Sequence, residues 1–138
     1  MQVIDLRKPN LRECEPGTYI ITSKGHSWQL LSRDFFGETW KDVSSGLTWL
    51  PKEPGSHSHY DAMKLEIETK RLPTKKEFEQ AEEHGIREVL DDINHWFWSS
   101  SVHPDVSNLA YNFYGRSGYI YYVNRSYDYN VAVRCVAK

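Results

Sequence analysis

Eleven of the 19 aromatic residues in this chain fall between Trp96 and Tyr129, and seven of its nine tyrosines fall between Tyr111 and Tyr129. Aromatic and β-branched side chains suit a pleated, half-buried surface, so the last third of the chain is constrained to strands and the loops that join them. The expected strands are residues 96–99, 109–114, 119–123 and 131–136, with polar loops between them. Alternation along 109–114 makes Leu109, Tyr111 and Phe113 the more apolar set and turns it to the core, which leaves Asn112 and Tyr114 outward. In the last strand Val131, Val133 and Cys135 form the inward set, with Asn130, Ala132 and Arg134 outside.

Upstream the pattern differs. Residues 1–17 carry Pro9, Asn10, Pro16 and Gly17 among scattered apolar positions and read as an irregular arm or linker, with one domain over residues 18–138. Residues 18–22 read as a first strand, and residues 28–50 as a meander of short apolar pieces with one or two hairpins. After the turn-rich break at 51–57 the apolar period lengthens to that of a helix. Tyr60, Met63, Leu65 and Ile67 predict a short one, N-capped by Ser58 with Asp61 three residues on. In Pro73-Thr74-Lys75-Lys76-Glu77, Thr74 and Glu77 form a capping box for a second helix, which buries Phe78 and Ala81 and stops at Gly85. Residues 86–93 read as a partly helical connection.

A chain of 138 residues can bury roughly two thirds of the surface its unfolded form exposes, so a core is attainable without metal or disulfides. With 17 Lys+Arg against 19 Asp+Glu the net charge is −2. That balance gives no basic footprint for nucleic acid. No apolar run approaches the length of a membrane span, so no membrane insertion is expected. Residues 1–15 lack the apolar core of a secretory signal. Two settings remain open: the cytosol, or an extracellular or cell-surface place for a piece of a longer protein.

Chemistry-bearing motifs are sparse. There is no G-x-S-x-G elbow, P-loop or dinucleotide fingerprint. The carboxylates between Glu66 and Asp92 sit among Lys75, Lys76 and Arg87 at the spacing of a solvated helix face. His57-Ser58-His59 with Asp61 could chelate from an extended loop, but further ligands would have to come from elsewhere and the same residues already serve a helix cap. The expectation is no catalytic residue, no metal and no cofactor.

Residues 119–129 hold five tyrosines among Asn124, Arg125, Ser126 and Asp128, more hydroxyls than a core of this size can satisfy, so some must reach solvent. A surface of Tyr, Asn and Ser with an occasional Arg has the composition of a paratope. Tyr brings contact area with few torsions to freeze, and Ser and Asn adapt their hydrogen bonds. The expected ligand-binding residues are Asn112, Tyr114, Arg116, Tyr119, Tyr121, Asn124, Arg125, Tyr127 and Tyr129. The tyrosines would supply area, and Arg116 and Arg125 would donate to carboxylates or sulfates. A hairpin held by cross-strand aromatic pairs would carry a similar sequence.

Four pieces in order carry a family resemblance: Gly46-Leu47-Thr48-Trp49; Arg71-Leu72-Pro73-Thr74 with Glu77 and Phe78; Trp98-Ser99-Ser100-Ser101; and Val133-Arg134-Cys135-Val136. From about residue 35 to the end, the chain resembles bacterial proteins of the DUF1566 type. These belong to the C-type lectin-like group, beside the formylglycine-generating-enzyme-like fold and the variable proteins of diversity-generating retroelements.

The resemblance implies an α+β, C-type lectin-like fold: two helices, small mostly antiparallel sheets, long loops, and N- and C-terminal strands paired with each other. Such pairing would let Cys14 and Cys135 meet as a disulfide; two unrelated thiols is the alternative. It also implies that Trp96 and Trp98 are core. The functional expectation is a non-enzymatic, adhesin-like domain that binds a protein or glycan on another cell or particle, at a cell surface or fibre tip. The alternatives are an enzyme or enzyme remnant of the formylglycine-generating type, and an oligomerising domain of a surface fibre, which would be a homo-oligomer.

Overall fold

The computed structural model describes residues 2–7 and 14–138. After β1 (Val3–Asp5), alternating apolar residues build a meander: β2 (Tyr19–Ile21), β3 (Ser27–Asp34), β4 (Gly37–Asp42) and β5 (Thr48–Lys52). Then come α1 (His59–Met63), β6 (Lys70–Arg71), α2 (Lys75–Glu83) and a 3-10 turn at Ile86–Glu88. The aromatic third supplies β7 (Trp96–Val102), β8 (Leu109–Tyr114), β9 (Ile120–Asn124), β10 (Val131–Ala132) and β11 (Arg134–Ala137). Val3–Asp5, inside the stretch expected to be an irregular arm, pairs in parallel with β2. Residues 1 and 8–13 of that stretch lie outside the described residues.

Two sheets result, with strand orders β1-β2-β3-β4-β5-β11-β6 and β10-β7-β8-β9. This overturns the expected C-type lectin-like α+β fold. The molecule is a small, mostly β fold with two sheets and, among the described residues, two short helices. The terminal strands do not pair either. Because β2 to β5 pair in sequence as successive hairpins, β1 is left at one edge while β11 inserts between β5 and β6. Cys14 packs against the core between the sheets and Cys135 sits in a second core; both are free thiols, so the disulfide implied by terminal pairing is absent.

The main core lies between the sheets. Trp28, Trp40 and Trp49 come from the first sheet, Phe97 and Phe113 from the second, and Phe78 and Ala81 from α2. The Phe78 ring stacks on Phe113 (5.0 Å, 9°) and tilts against Trp49 (5.4 Å, 53°). Burying each such ring is worth about 1.5–3 kcal/mol.

Helix α2 reaches this position through its ends. Thr74 Oγ1 accepts from Glu77 N–H (3.1 Å) and the Glu77 carboxylate from Thr74 N–H (2.9 Å), the capping box the sequence predicts. Lys75 N–H donates to Ser101 Oγ (2.9 Å), which ties the helix start to β7. At the other end the His84 carbonyl accepts from Trp28 Nε1 and Thr22 Oγ1, both at 2.9 Å, while His84 Nδ1 donates to buried Asp42 (2.6 Å). Gly85 then takes φ 88°, against Thr22, where a Cβ would come within 2.6 Å.

The outer face of the second sheet carries a second core of Ala62, Leu72, Trp98, Ala110, Val131, Val133 and Cys135. This explains why residues 131–136 do not divide into inner and outer sets. At Val133 the chain leaves the second sheet and enters the first, and all six residues are buried. Ala132 and Arg134, expected outside, are therefore interior. Arg134 is 1% exposed and serves three carbonyls: Leu50 (2.7 Å, from Nε), Glu38 (3.1 Å, from Nη2) and Asp91 (from Nη1). It also pairs with the Asp91 carboxylate at 2.7 Å.

Candidate functional site

Register decides which side chains share a face of the second sheet. Trp96 pairs with Tyr114 and Val131, Trp98 with Asn112, Asn112 with Tyr121, and Ala110 with Val123. Directly paired residues point the same way, so Trp96, Asn112, Tyr114, Tyr121, Val123 and Val131 lie on the face away from the main core. Trp98 and Ala110 there are sealed by the second core, and Val131 stands at its border. The rest of that face is an open groove of about 510 Å³, lined by Trp96, Asn112, Tyr121, Tyr122, Val123, Tyr127, Tyr129, Asn130 and Val131. Such a volume suits a small ligand or a protruding group of a larger one.

The walls are aromatic. Trp96, which the resemblance assigned to the core, is only half-buried: it stacks on Tyr114 (4.0 Å, 14°) and meets the Tyr121 ring edge-on (5.0 Å, 67°). Tyr119, Tyr121, Tyr127 and Tyr129 are all exposed, from 43% to 69%. Tyr122 is exposed too, but its ring turns to the other face of β9, against Tyr111 and His103.

Asn112 forms the floor and was expected outside. Paired on both sides within the sheet, it is 4% exposed, and its Oδ1 accepts no hydrogen bond. An acceptor removed from water without a donor costs about 1–3 kcal/mol. Among the described residues, Trp49 Nε1 is the other buried side-chain atom without a partner.

A second hollow of about 480 Å³ lies across the ridge made by Trp96 and Asn130, which line both. Its walls are polar and include Lys52, His95, Tyr114 and Arg116. His95 Nε2 is hydrogen-bonded to Asp92 (2.7 Å), and Lys52 Nζ stands 3.8 Å from the same carboxylate. Asn130 adopts φ 56°, a left-handed backbone that Asn tolerates better than most residues.

Two of the expected residues point elsewhere. Asn124 Oδ1 accepts from both the N–H (2.9 Å) and the Oγ (2.7 Å) of Ser126, which shapes the loop after β9. Arg125 reaches back to α1: its Nε donates to His59 Nδ1 (2.9 Å), its guanidinium lies 4.3 Å from the Tyr60 ring centre, and its carbonyl accepts from His59 N–H (2.9 Å). His59 Nε2 donates in turn to Ser99 O (2.9 Å), so both of its ring nitrogens are engaged. Burial, with the Arg125 charge adding to it, holds the His59 pKa below its ordinary value. His57 Nε2 meets the Pro54 carbonyl at 2.9 Å.

The groove thus gathers Asn112, Tyr121, Tyr127 and Tyr129, while Tyr114 and Arg116 line the neighbouring hollow and Tyr119 stands beside Tyr121. Sequence reasoning missed Trp96, Val123, Asn130 and Val131 as lining residues. The available signal was the strand pairing of Trp96 with Tyr114, which alternation on one strand does not supply. Cys135, the thiol a formylglycine-type chemistry would need, is fully buried and pushed up to about 11, chiefly by desolvation.

Comparison of the chain with protein-family models, curated proteins and solved structures finds no match to any of the three. Among the described residues no helix is long and apolar enough to cross a membrane.

Proposed function

We propose that this protein is a non-enzymatic recognition domain that binds a protein or glycan ligand through the tyrosine-walled groove of its second sheet. One observation carries the reading: Tyr121, Tyr127 and Tyr129 stand exposed around a single concavity walled also by Trp96 and floored by Asn112. Rings at a groove supply contact area at low entropic cost and hydroxyls for directional bonds. The loop that presents Tyr127 and Tyr129 is held at its start by Arg125 on His59, so part of the ordering cost of binding is met before a ligand arrives. A cell-surface or fibre-tip setting within a longer chain suits such a domain.

The test is the pair of substitutions Tyr121→Ala and Tyr127→Ala on a glycan and protein array. Both residues are exposed, so melting should stay within a few degrees while capture is lost. Retained capture, or unfolding of the double variant, would return the tyrosines to a packing role.

A further inference from the structure

Among the described residues four strands stand at sheet edges, and three of them are closed to further pairing. β6 is the charged pair Lys70–Arg71, β10 is two residues long and buried, and β1 is three residues long and ends at Asp5, ion-paired with Arg7. Short length, charge and cover are what keep an edge from adding another strand. β9 has none of these. Its five residues carry no charge, and they pair with β8 in unbroken register, without a bulge.

The alternation of an antiparallel ladder shows which backbone groups of β9 look outward. Tyr114 N–H donates to the Tyr119 carbonyl (2.9 Å) and Arg125 N–H to the Asn108 carbonyl (2.8 Å), so residues 119, 121, 123 and 125 turn their backbone groups to β8. Ile120, Tyr122 and Asn124 turn theirs away. Among the described residues no strand meets that side, and of its backbone groups the Asn124 carbonyl alone is engaged, by Tyr127 N–H (3.0 Å).

This spacing is symmetric about Tyr122, so the strand is its own complement. We propose that β9 is the interface for a second copy of this chain: two β9 strands pair antiparallel about a two-fold axis at Tyr122 and join the four-stranded sheets into one of eight strands. Each Tyr122 N–H donates to the carbonyl of the partner's Tyr122, and each Asn124 N–H to the carbonyl of the partner's Ile120. On one face the two Tyr122 rings meet across the axis; on the other, Tyr121 lies beside the partner's Val123, and since both residue types line the groove, the two grooves become continuous. A net charge of −2 per chain opposes this pairing only weakly. An extended peptide of another protein meets the same ladder, but β9 offers no charge to select one and such a peptide lacks the two-fold match, so it is the weaker fit. Tyr119, Tyr121 and Tyr122 are roughly half to two-thirds exposed, which at about 150–250 Å² for a whole ring gives roughly 250–400 Å² per copy. Doubled, this is below the roughly 1,200 Å² of a stable interface, so the dimer forms with rising concentration.

Sedimentation equilibrium of the intact chain without ligand, from about 10 μM to about 1 mM, tests this. The apparent mass should rise from 16.2 kDa toward twice that value, while the Tyr122 and Asn124 amides gain protection from hydrogen exchange. Tyr122→Lys and Tyr122→Glu each set like charges across the axis and should hold the chain monomeric, whereas their equimolar mixture should dimerise again. A wild-type chain that stays monomeric at the highest concentration overturns the inference. So does a dimer indifferent to Tyr122→Lys, a dimer lost instead on Phe35→Ser at the exposed tip between β3 and β4, or a mixture that stays monomeric. Hydrogen exchange needs no variant and decides the matter if a charged variant fails to fold: Tyr122 and Asn124 amides that exchange equally fast at both ends of the range overturn the inference. All of these readings are made without ligand, so the recognition reading stands or falls separately, on array capture.

Discussion

His59 Nδ1 accepts a hydrogen bond from Arg125 Nε at 2.9 Å, and this contact joins α1 to the loop that walls the groove. It requires a neutral imidazole. A proton on Nδ1 would meet the Arg125 N–H head-on, and Nε2 already donates to Ser99 O.

The consequence is a dependence on acid. The pKa of His59 in the fold lies below the ordinary value of 6.5, so just under pH 6.5 the unfolded chain binds a proton that the folded chain refuses. Stability is therefore fully present above pH 6.5 and falls as pH drops below it. Melting curves between pH 5 and 8 should show this slope, and His59→Gln should flatten it while lowering melting throughout. Ligand capture should weaken over the same window as the loop loosens. An unchanged slope in the variant would assign the effect to other groups.

Asp91→Ala should destabilise by about 3–5 kcal/mol, because it strips the ionic partner from Arg134, a guanidinium 1% exposed. Urea denaturation measures this. A loss below about 1 kcal/mol would mean that the three carbonyls alone satisfy the charge.

Phe78→Ala should cost about 3–5 kcal/mol, since it empties the space between Trp49 and Phe113 where α2 meets both sheets. Thr74→Ala should cost about 1 kcal/mol through the lost cap. A Phe78 variant no worse than the cap variant would show that α2 is peripheral to the core.

The two thiols should separate by reactivity. Cys14 is half-buried, whereas Cys135 is sealed in the second core with its pKa pushed up to about 11. A chromogenic disulfide reagent at pH 8 should titrate one thiol in the folded protein and two in urea. Equal rates in the native state would contradict the burial of β11.

How much of this was legible in the sequence depends on the range of the interaction involved. Local signals held: the Thr74/Glu77 capping box, the Ser58 cap and the stop at Gly85 fall where the residues place them. Residues 109–114 form β8 with the predicted bounds. What failed was pairwise and long-range. Alternation puts Asn112 on the face away from the main core, where β8 holds it, but cannot show that it is buried there; it puts Arg134 outside only if a strand has one wet side, whereas β11 is covered on both. The short motifs behind the lectin-like expectation sit at caps and strand ends, and such local features recur in unrelated topologies. At the site, the tyrosines could be read from composition, but Trp96 needed the strand pairing to become a wall.

The sheet switch at Val133 bears on how the domain would behave when pulled. Residues 131–137 are one uninterrupted run whose first part borders the groove and whose second part is clamped between β5 and β6. Tension drawn along the C-terminus must tear β11 from two neighbours before it can distort the binding wall. Tethered by that end, the molecule would keep its grip under load and then give way in a single rip, which optical-trap extension traces would record.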